Sequence, residues 1–324
     1  MTALRTIALF AAAIASAGFA CTNVHAQAWP SRTVRVIVPF QPGGGTDTQS
    51  RLLGKKLTEN LGQSFVVDNR SGAGGLIGAE LAAKAPPDGY TLLFTTASLS
   101  VQVTLVKKLA FDPLKDLAPV SLFSSAPLVL VVHPSVPAKT VPELVALAKK
   151  SKSKLNAASN GSGTTSHLAI EMLKQAAGID VVHVPYKGGG PAVTAMMAGE
   201  VDLRFSGQLA VLPHVRSGRV RAIAIASTRR STLMPDVPTL ASYYPGFDAD
   251  NWYAMFAPAA IPKDIVTRLH GEIVKVLKAP DMRETIARDG AEPIGSTPDE
   301  LAAYFRKEAD KYAKVIRAAK ITSE

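Results

Sequence analysis

The sequence predicts an α/β fold of two domains, each a central, mostly parallel sheet flanked by helices, facing one another across a cleft. Three observations predict it. Short β-branched runs alternate with helical stretches along the chain. Four connections from strand to helix are rich in Gly, Ser and Thr. Two of these fall in the first hundred residues after Ala26 and two in the next hundred. In open parallel sheets, ligands sit beyond the carboxyl ends of the strands, so two such sheets bring four loops to one cleft.

Residues 1–26 read as a cleaved signal peptide. Arg5 supplies a positive start, Ile7 to Ala20 is an apolar run too short to span a bilayer, and Val24-His25-Ala26 is a small-residue cleavage pattern. The mature chain then begins near Gln27 as an exported protein. Anchoring as a lipoprotein at Cys21 is disfavoured, because Gly18-Phe19-Ala20 lacks the expected Leu. Cys21 is the single cysteine, which excludes a disulfide framework and a redox thiol enzyme in the mature chain. The net charge of +10 comes from scattered Lys and Arg. With no clustered basic stripe, a nucleic-acid partner is not expected.

Val34 to Leu61 is the organising stretch. Val34 to Val38 reads as a buried strand, ended by Pro39 and Pro42. Gly43, Gly44 and Gly45 let the backbone come close to a bound group. Thr46 or Asp47 caps a helix whose Leu52, Leu53, Leu57 and Leu61 recur at helical spacing. Strand, glycine loop and helix N-terminus together suit an anion.

The following elements are read in the same way. Ser64–Asn69 is a strand, Ser71–Gly78 a second glycine loop, and Ala79–Ala85 a helix closed by the turn Pro86-Pro87-Asp88-Gly89. Tyr90–Phe94 is a strand that empties into Thr95-Thr96-Ala97-Ser98. Pro119–Phe123 and Ala126–His133 read as two strands. Thr140, Pro142 and Glu143 open a helix with a capping box. Leu155–Ala158 is a strand, 159–166 a polar loop, and His167–Ala177 a helix stopped by Gly178. Val181–Val184, the loop 185–190 and the helix Pro191–Ala198 repeat the pattern. Val201–Phe205, Val220–Ala226 and Asn251–Phe256 are strands, and Pro213–Ser217 is a turn or short helix. Helices over Ile265–Leu277, Met282–Asp289 and from Thr297 to Ala319 end the chain and are expected to pack back on the first domain.

Enzyme chemistry finds little support. Gly43-Gly44-Gly45-Thr46-Asp47-Thr48 and Gly72-Ala73-Gly74-Gly75-Leu76-Ile77 both miss the last glycine of a dinucleotide fingerprint. Asp68 does end the second strand, where a ribose-binding acid would sit. No P-loop occurs, and Asn160-Gly161-Ser162-Gly163-Thr164 is not a nucleophile elbow. The six histidines lack paired ligand spacing, so neither a metal nor another cofactor is expected. Asp47 suits a helix cap, a general base or a cationic ligand group, and Lys187 a carboxylate or plain solvent. Trp252 and Tyr253 suit the cleft or the core. What remains is a set of donors without a nucleophile: glycine-loop N–H groups and the hydroxyls of Thr95, Thr96, Ser98, Ser162, Thr164 and Thr165. Converging helix starts bind a carboxylate without an arginine. A binding protein is therefore expected, its rival being an exported α/β enzyme with a nucleotide or acyl substrate.

The order of several motifs carries a resemblance. They are Val38-Pro39-Phe40-x-Pro42-Gly43-Gly44 with Asp47, Asn69-Arg70-x-Gly72-Ala73-Gly74-Gly75 with Gly78, and Pro87-Asp88-Gly89-Tyr90-Thr91-Leu92. Val184-Pro185-Tyr186-Lys187-Gly188, Gly199-x-Val201-Asp202 and Trp252 with Phe256-x-Pro258 follow. The chain resembles the Bug family, the periplasmic solute receptors of tripartite tricarboxylate transporters. The resemblance implies a monomeric Venus flytrap of type II periplasmic-binding topology that takes a small carboxylate: di- or tricarboxylate, amino acid or aromatic acid. It implies one domain from 27–122 plus 252–324 and another from 123–251, with crossings near Leu122 and Asn251. Ligand contacts carried over are Phe40, Gly43, Gly44, Gly45, Thr46 and Asp47, with Thr95 and Ser98 beside them. Asn160, Ser162, Gly163, Thr164, His167 and Tyr186 would close from the second domain, and Gln208 and Asn251 would meet the ligand's tail. Partners would be membrane components of the transporter or a sensor protein, reading cleft closure.

Overall fold

The computed structural model describes residues 29–318 and 321, except 107, 152, 153 and 289. The signal peptide, the start at Gln27 and Cys21 lie outside the described residues. Among the described residues, ten strands and ten α-helices form two lobes that share one long strand.

In the first lobe, β1 (Val34–Val38), β2 (Phe65–Asn69) and β3 (Thr91–Thr96) pair in parallel in the order β2-β1-β3. The strand β4 (Leu117–Val132) and β9 (Asp250–Pro258) complete this sheet antiparallel, β9 lying between β3 and β4. In the second lobe, β5 (Asn156–Ser159) pairs in parallel with β6 (Val182–Pro185) and β7 (Leu203–Gly207). There β7 and β8 (Arg221–Ile225) each pair antiparallel with the far half of β4.

The strand β4 is the main departure from the sequence reading, which divides it in two at its prolines. It runs unbroken for 16 residues. From Leu117 to Pro127 it pairs with β9, and from Leu128 to Val132 with β7 and β8. Pro119 sits at a register shift, where a missing N–H costs no ladder bond, and Pro127 sits at the handover between sheets.

Alternation along β1 sets the layers of the first lobe. Val34, Val36 and Val38 pack on α1 (Gly45–Leu61) through Leu53 and Leu57, and on α8 (Lys263–Lys278) through Leu269 and Ile273. Ile37 faces the other way, with Trp252, Phe256 and, from the last helix α10 (Pro298–Ala318), Leu301 and Phe305. Further along, Tyr312 and Ile316 of α10 meet Leu168 of the second lobe. The helices α2 (Leu76–Ala83), α4 (Val141–Lys150), α5 (Thr165–Ala177) and α6 (Gly189–Met197) follow the sequence reading closely. Thr140 caps α4 as its sequence predicts, its Oγ1 accepting from Glu143 N–H at 3.3 Å. Two helices were not read from the sequence at full length. α3 (Ser98–Leu105) is almost wholly buried and carries no amphipathic stripe, and α7 (Gln208–Arg216) continues through Pro213. The helix α9 (Pro280–Arg288) completes the set. Among the described residues no helix is long and apolar enough to cross a membrane.

Candidate functional site: a chamber between the lobes

The lobes meet face to face. Gln41 N–H donates to Lys187 O at 3.2 Å, Gln102 Nε2 to Ser162 O at 3.0 Å, and Thr165 N–H to Ser98 Oγ at 3.3 Å. Between these contacts lies a chamber of about 30 Å³. A buried water needs roughly 10–15 Å³, so the chamber admits only a few non-hydrogen atoms with the lobes in this arrangement.

Its wall is built from strand ends and helix starts. Gly44, Gly45 and Thr46 bring the N-terminus of α1, Gly189 that of α6, and Gly207 and Ala210 that of α7. The first-turn N–H groups of a helix have no partner inside it, so three sets of such donors surround one space. Phe40, Thr96, Asn160, Arg204, Ser206, Asn251 and Tyr253 complete the wall. Among the described residues no acidic side chain lines it.

Arg204 is fully buried on β7. Its Nη2 donates to Asn160 Oδ1 at 3.0 Å and its Nη1 to Gly189 O at 3.4 Å. Burial lowers its pKa to about 10, which leaves it charged at neutral pH. Sequence reasoning missed this residue and held an arginine unnecessary. The available signal was a cation, Arg204, set between Leu203 and Phe205 in the strand Val201–Phe205. Thr96 stood among the candidate donor hydroxyls, but the resemblance carried over Thr95 as the ligand contact. The two hydroxyls leave opposite faces of β3, and Thr96 reaches the chamber.

Among the residues expected at the site, Phe40, Gly44, Gly45, Thr46, Asn160 and Asn251 line this wall. Gly43 and Asp47 stand just behind it. The helix cap is Gly44, not Thr46 or Asp47. Asp47 Oδ2 accepts from Gly43 N–H at 3.2 Å, and its Oδ1 accepts from Asn69 Nδ2 and Arg51 Nε, both at 3.0 Å. Burial works to raise its pKa, but hydrogen bonds from Arg51, Gly43 and Asn69 outweigh it and hold the carboxyl below its usual range. Engaged in this way, Asp47 scaffolds the glycine loop. Asp47→Ala is expected to loosen that loop, cost about 1–3 kcal/mol in a urea titration, and weaken ligand binding.

Ser162 and Tyr186 line a second, outer groove of about 470 Å³ that shares Phe40 and Asn160 with the chamber; Lys187 lines it too. Thr95, Ser98, Gly163, Thr164, His167 and Gln208 line neither space. Thr164 bonds Gly161 O at 2.7 Å, and Gln208 Nε2 bonds Gly290 O at 3.2 Å, a strut between the lobes. Trp252 belongs to the core and Tyr253 to the chamber wall.

His167 accepts from Gly163 N–H through Nδ1 at 3.1 Å and stacks on His183, ring centroids 3.9 Å apart. Burial lowers both imidazoles to about 4, with Lys174 adding to the effect on His167 and His167 to that on His183. Unfolding frees both to take protons from their ordinary value of 6.5 downward. Their contribution to stability is thus present above pH 6.5 and lost as the pH falls toward 4. Burial also raises Asp250 to about 6, which acts in the opposite sense with one proton against two. The urea midpoint is expected to fall between pH 7 and pH 4.5, and His167→Gln/His183→Gln should flatten that fall.

The chain matches proteins of known kind. A sequence profile described as "Tripartite tricarboxylate transporter family receptor" matches residues 50–321. Protein BugT of Bordetella pertussis is 39% identical over 320 residues, 98% of each chain. The solved structure of the periplasmic binding protein BugD superposes with a TM-score of 0.88 at 32% identity, covering 91% of this chain and 100% of that one. MatC from Rhodopseudomonas palustris with bound malate superposes at 0.85 with 34% identity, covering 89% and 100%. Profile, relatives and two-lobed architecture agree, and the chain belongs to the tripartite tricarboxylate transporter family of solute-binding receptors.

Proposed function

We propose that this receptor is exported to the periplasm and captures a small carboxylate in the chamber between its lobes. The observation that carries the reading is the convergence of three helix N-termini and one buried arginine on a wall without an acidic side chain. Gly44, Gly45 and Thr46 receive the carboxylate from the first lobe, and Asn160 and Asn251 close on it. The malate bound by the MatC relative supports this ligand class. The lobes divide where β4 passes from β9 to β7 and β8 at Pro127, a few residues beyond the crossing expected near Leu122, and part about β4 and β9. With so little room in the chamber, parting is required for entry, and closure is the state that membrane components of a transporter or a sensor read. The receptor works as a monomer and without a cofactor.

The test is a thermal-shift screen of the mature protein, unfolded and refolded to strip carried-over ligand. Carboxylates form the panel, with NAD, NADP and an acyl ester as controls. A ligand at 100 times its dissociation constant adds about 2.7 kcal/mol, a visible rise in Tm. A rise with carboxylates alone is expected. Dinucleotide binding or ester turnover would favour an exported enzyme and overturn the reading.

A further inference from the structure

The chamber has two poles of positive potential on opposite lobes. The first-lobe pole is the start of α1 at Gly44 to Thr46. The second-lobe pole combines the starts of α6 and α7 with the guanidinium of Arg204. Arg204 is fully buried, yet its Nε has no hydrogen-bond partner. Ser206 Oγ is likewise buried and unpartnered. The two residues lie two apart on β7, so their side chains leave the same face of the strand, and both line the chamber. No carboxylate among the described residues pairs with Arg204.

An isolated charge taken out of water is costly unless it is paired. The two contacts that Arg204 does make, to Gly189 O and Asn160 Oδ1, hold its Nη groups and fix the plane of the guanidinium. They neutralise nothing. A ligand whose single carboxylate sat on the α1 pole would leave this charge without a counter-ion. An amino-acid ligand would bring an ammonium group to a wall that holds a cation and no acid.

Resting on the receptor reading above, we infer that Arg204 and Ser206 form a second anion subsite, so that the preferred ligand is a short dianion bridging the two lobes. One anionic group lies against Gly44 to Thr46, and the other against Arg204 Nε and Ser206 Oγ. Arg204 thereby sets specificity against monocarboxylates and amino acids.

The inference is tested by calorimetric titration of the refolded mature protein with succinate, malate and glutarate. Succinamate and propionate serve as partners lacking the second charge, and aspartate as the ammonium-bearing analogue. The wild type is expected to favour its best dianion over succinamate by roughly 100-fold. Arg204→Met should lose about that factor for the dianion while changing succinamate and propionate less than tenfold, so that the preference collapses. Arg204→Lys should keep part of it, and circular dichroism checks that both variants fold. Equal binding of succinamate and dianions by the wild type overturns the inference and leaves the receptor reading intact. So does an equal loss of mono- and dianions in Arg204→Met, which would give Arg204 the sole carboxylate. Binding of no carboxylate at all overturns both.

Discussion

Gly45→Val is expected to abolish carboxylate binding while the protein still folds. Gly45 is the first residue of α1, and a Cβ built there runs into Tyr253 Oη across the chamber. Tyr253 has little room to retreat, because it is buried and its ring stacks parallel to Phe94 with 6.4 Å between centroids. The added methyl groups of valine would fill space measured in a few atoms. They would also push an anion away from the N–H groups of the first helical turn. The first turn of a helix tolerates valine at under about 1 kcal/mol, so the damage is local. We expect affinity for malate or succinate to fall by at least about 100-fold, or roughly 2.7 kcal/mol. Gly45→Ala combined with Tyr253→Phe makes room by removing the hydroxyl, and should recover part of the loss that Gly45→Ala suffers alone. A calorimetric affinity for Gly45→Val within threefold of the wild type would remove the α1 start from the site.

Much of this loop was legible because its signals are local. Val34 to Val38, the glycines after them and the leucines of α1 lie within one stretch, and periodicity alone orders strand, loop and helix. The antiparallel members were less legible. Pro119 and Pro127 read as strand ends, and only tertiary pairing shows that one strand serves two sheets and spends its prolines at a register shift and a handover. Arg204 was hidden for a related reason. Its role depends on which residues the second sheet brings beside it, namely Asn160 from the end of β5 and Gly189 from the start of α6. These lie 44 and 15 positions away, and no spacing rule joins them. Asp47 shows the converse. Its place in the helix start was clear, but its engagement with Asn69 appears only once β2 lies beside β1.

Trp252→Ala is expected to destabilise the first lobe strongly. Trp252 is fully buried at the start of β9, where that strand enters the sheet beside β4. Its ring meets Phe305 edge-on, centroids 6.2 Å apart, and Tyr304 at 6.1 Å, both on α10. Phe305 in turn packs edge-on against Phe256 at 5.5 Å, so the tryptophan seals the layer between the sheet and the last helix. Its Nε1 has no hydrogen-bond partner, so truncation orphans no polar group and the cost is packing alone. Trp→Ala in a core costs about 3–5 kcal/mol, since the surroundings collapse only in part. At about 2 °C per kcal/mol for a chain of this size, Tm should fall by roughly 6–10 °C. Trp252→Phe keeps a ring against Phe305 and should cost clearly less. The neighbours on either side, Asn251 and Tyr253, line the chamber, so loosening β9 here should also weaken ligand affinity. If urea titration finds less than about 1 kcal/mol for Trp252→Ala, α10 is not held on the lobe through this ring, and the coupling from core to chamber fails with it.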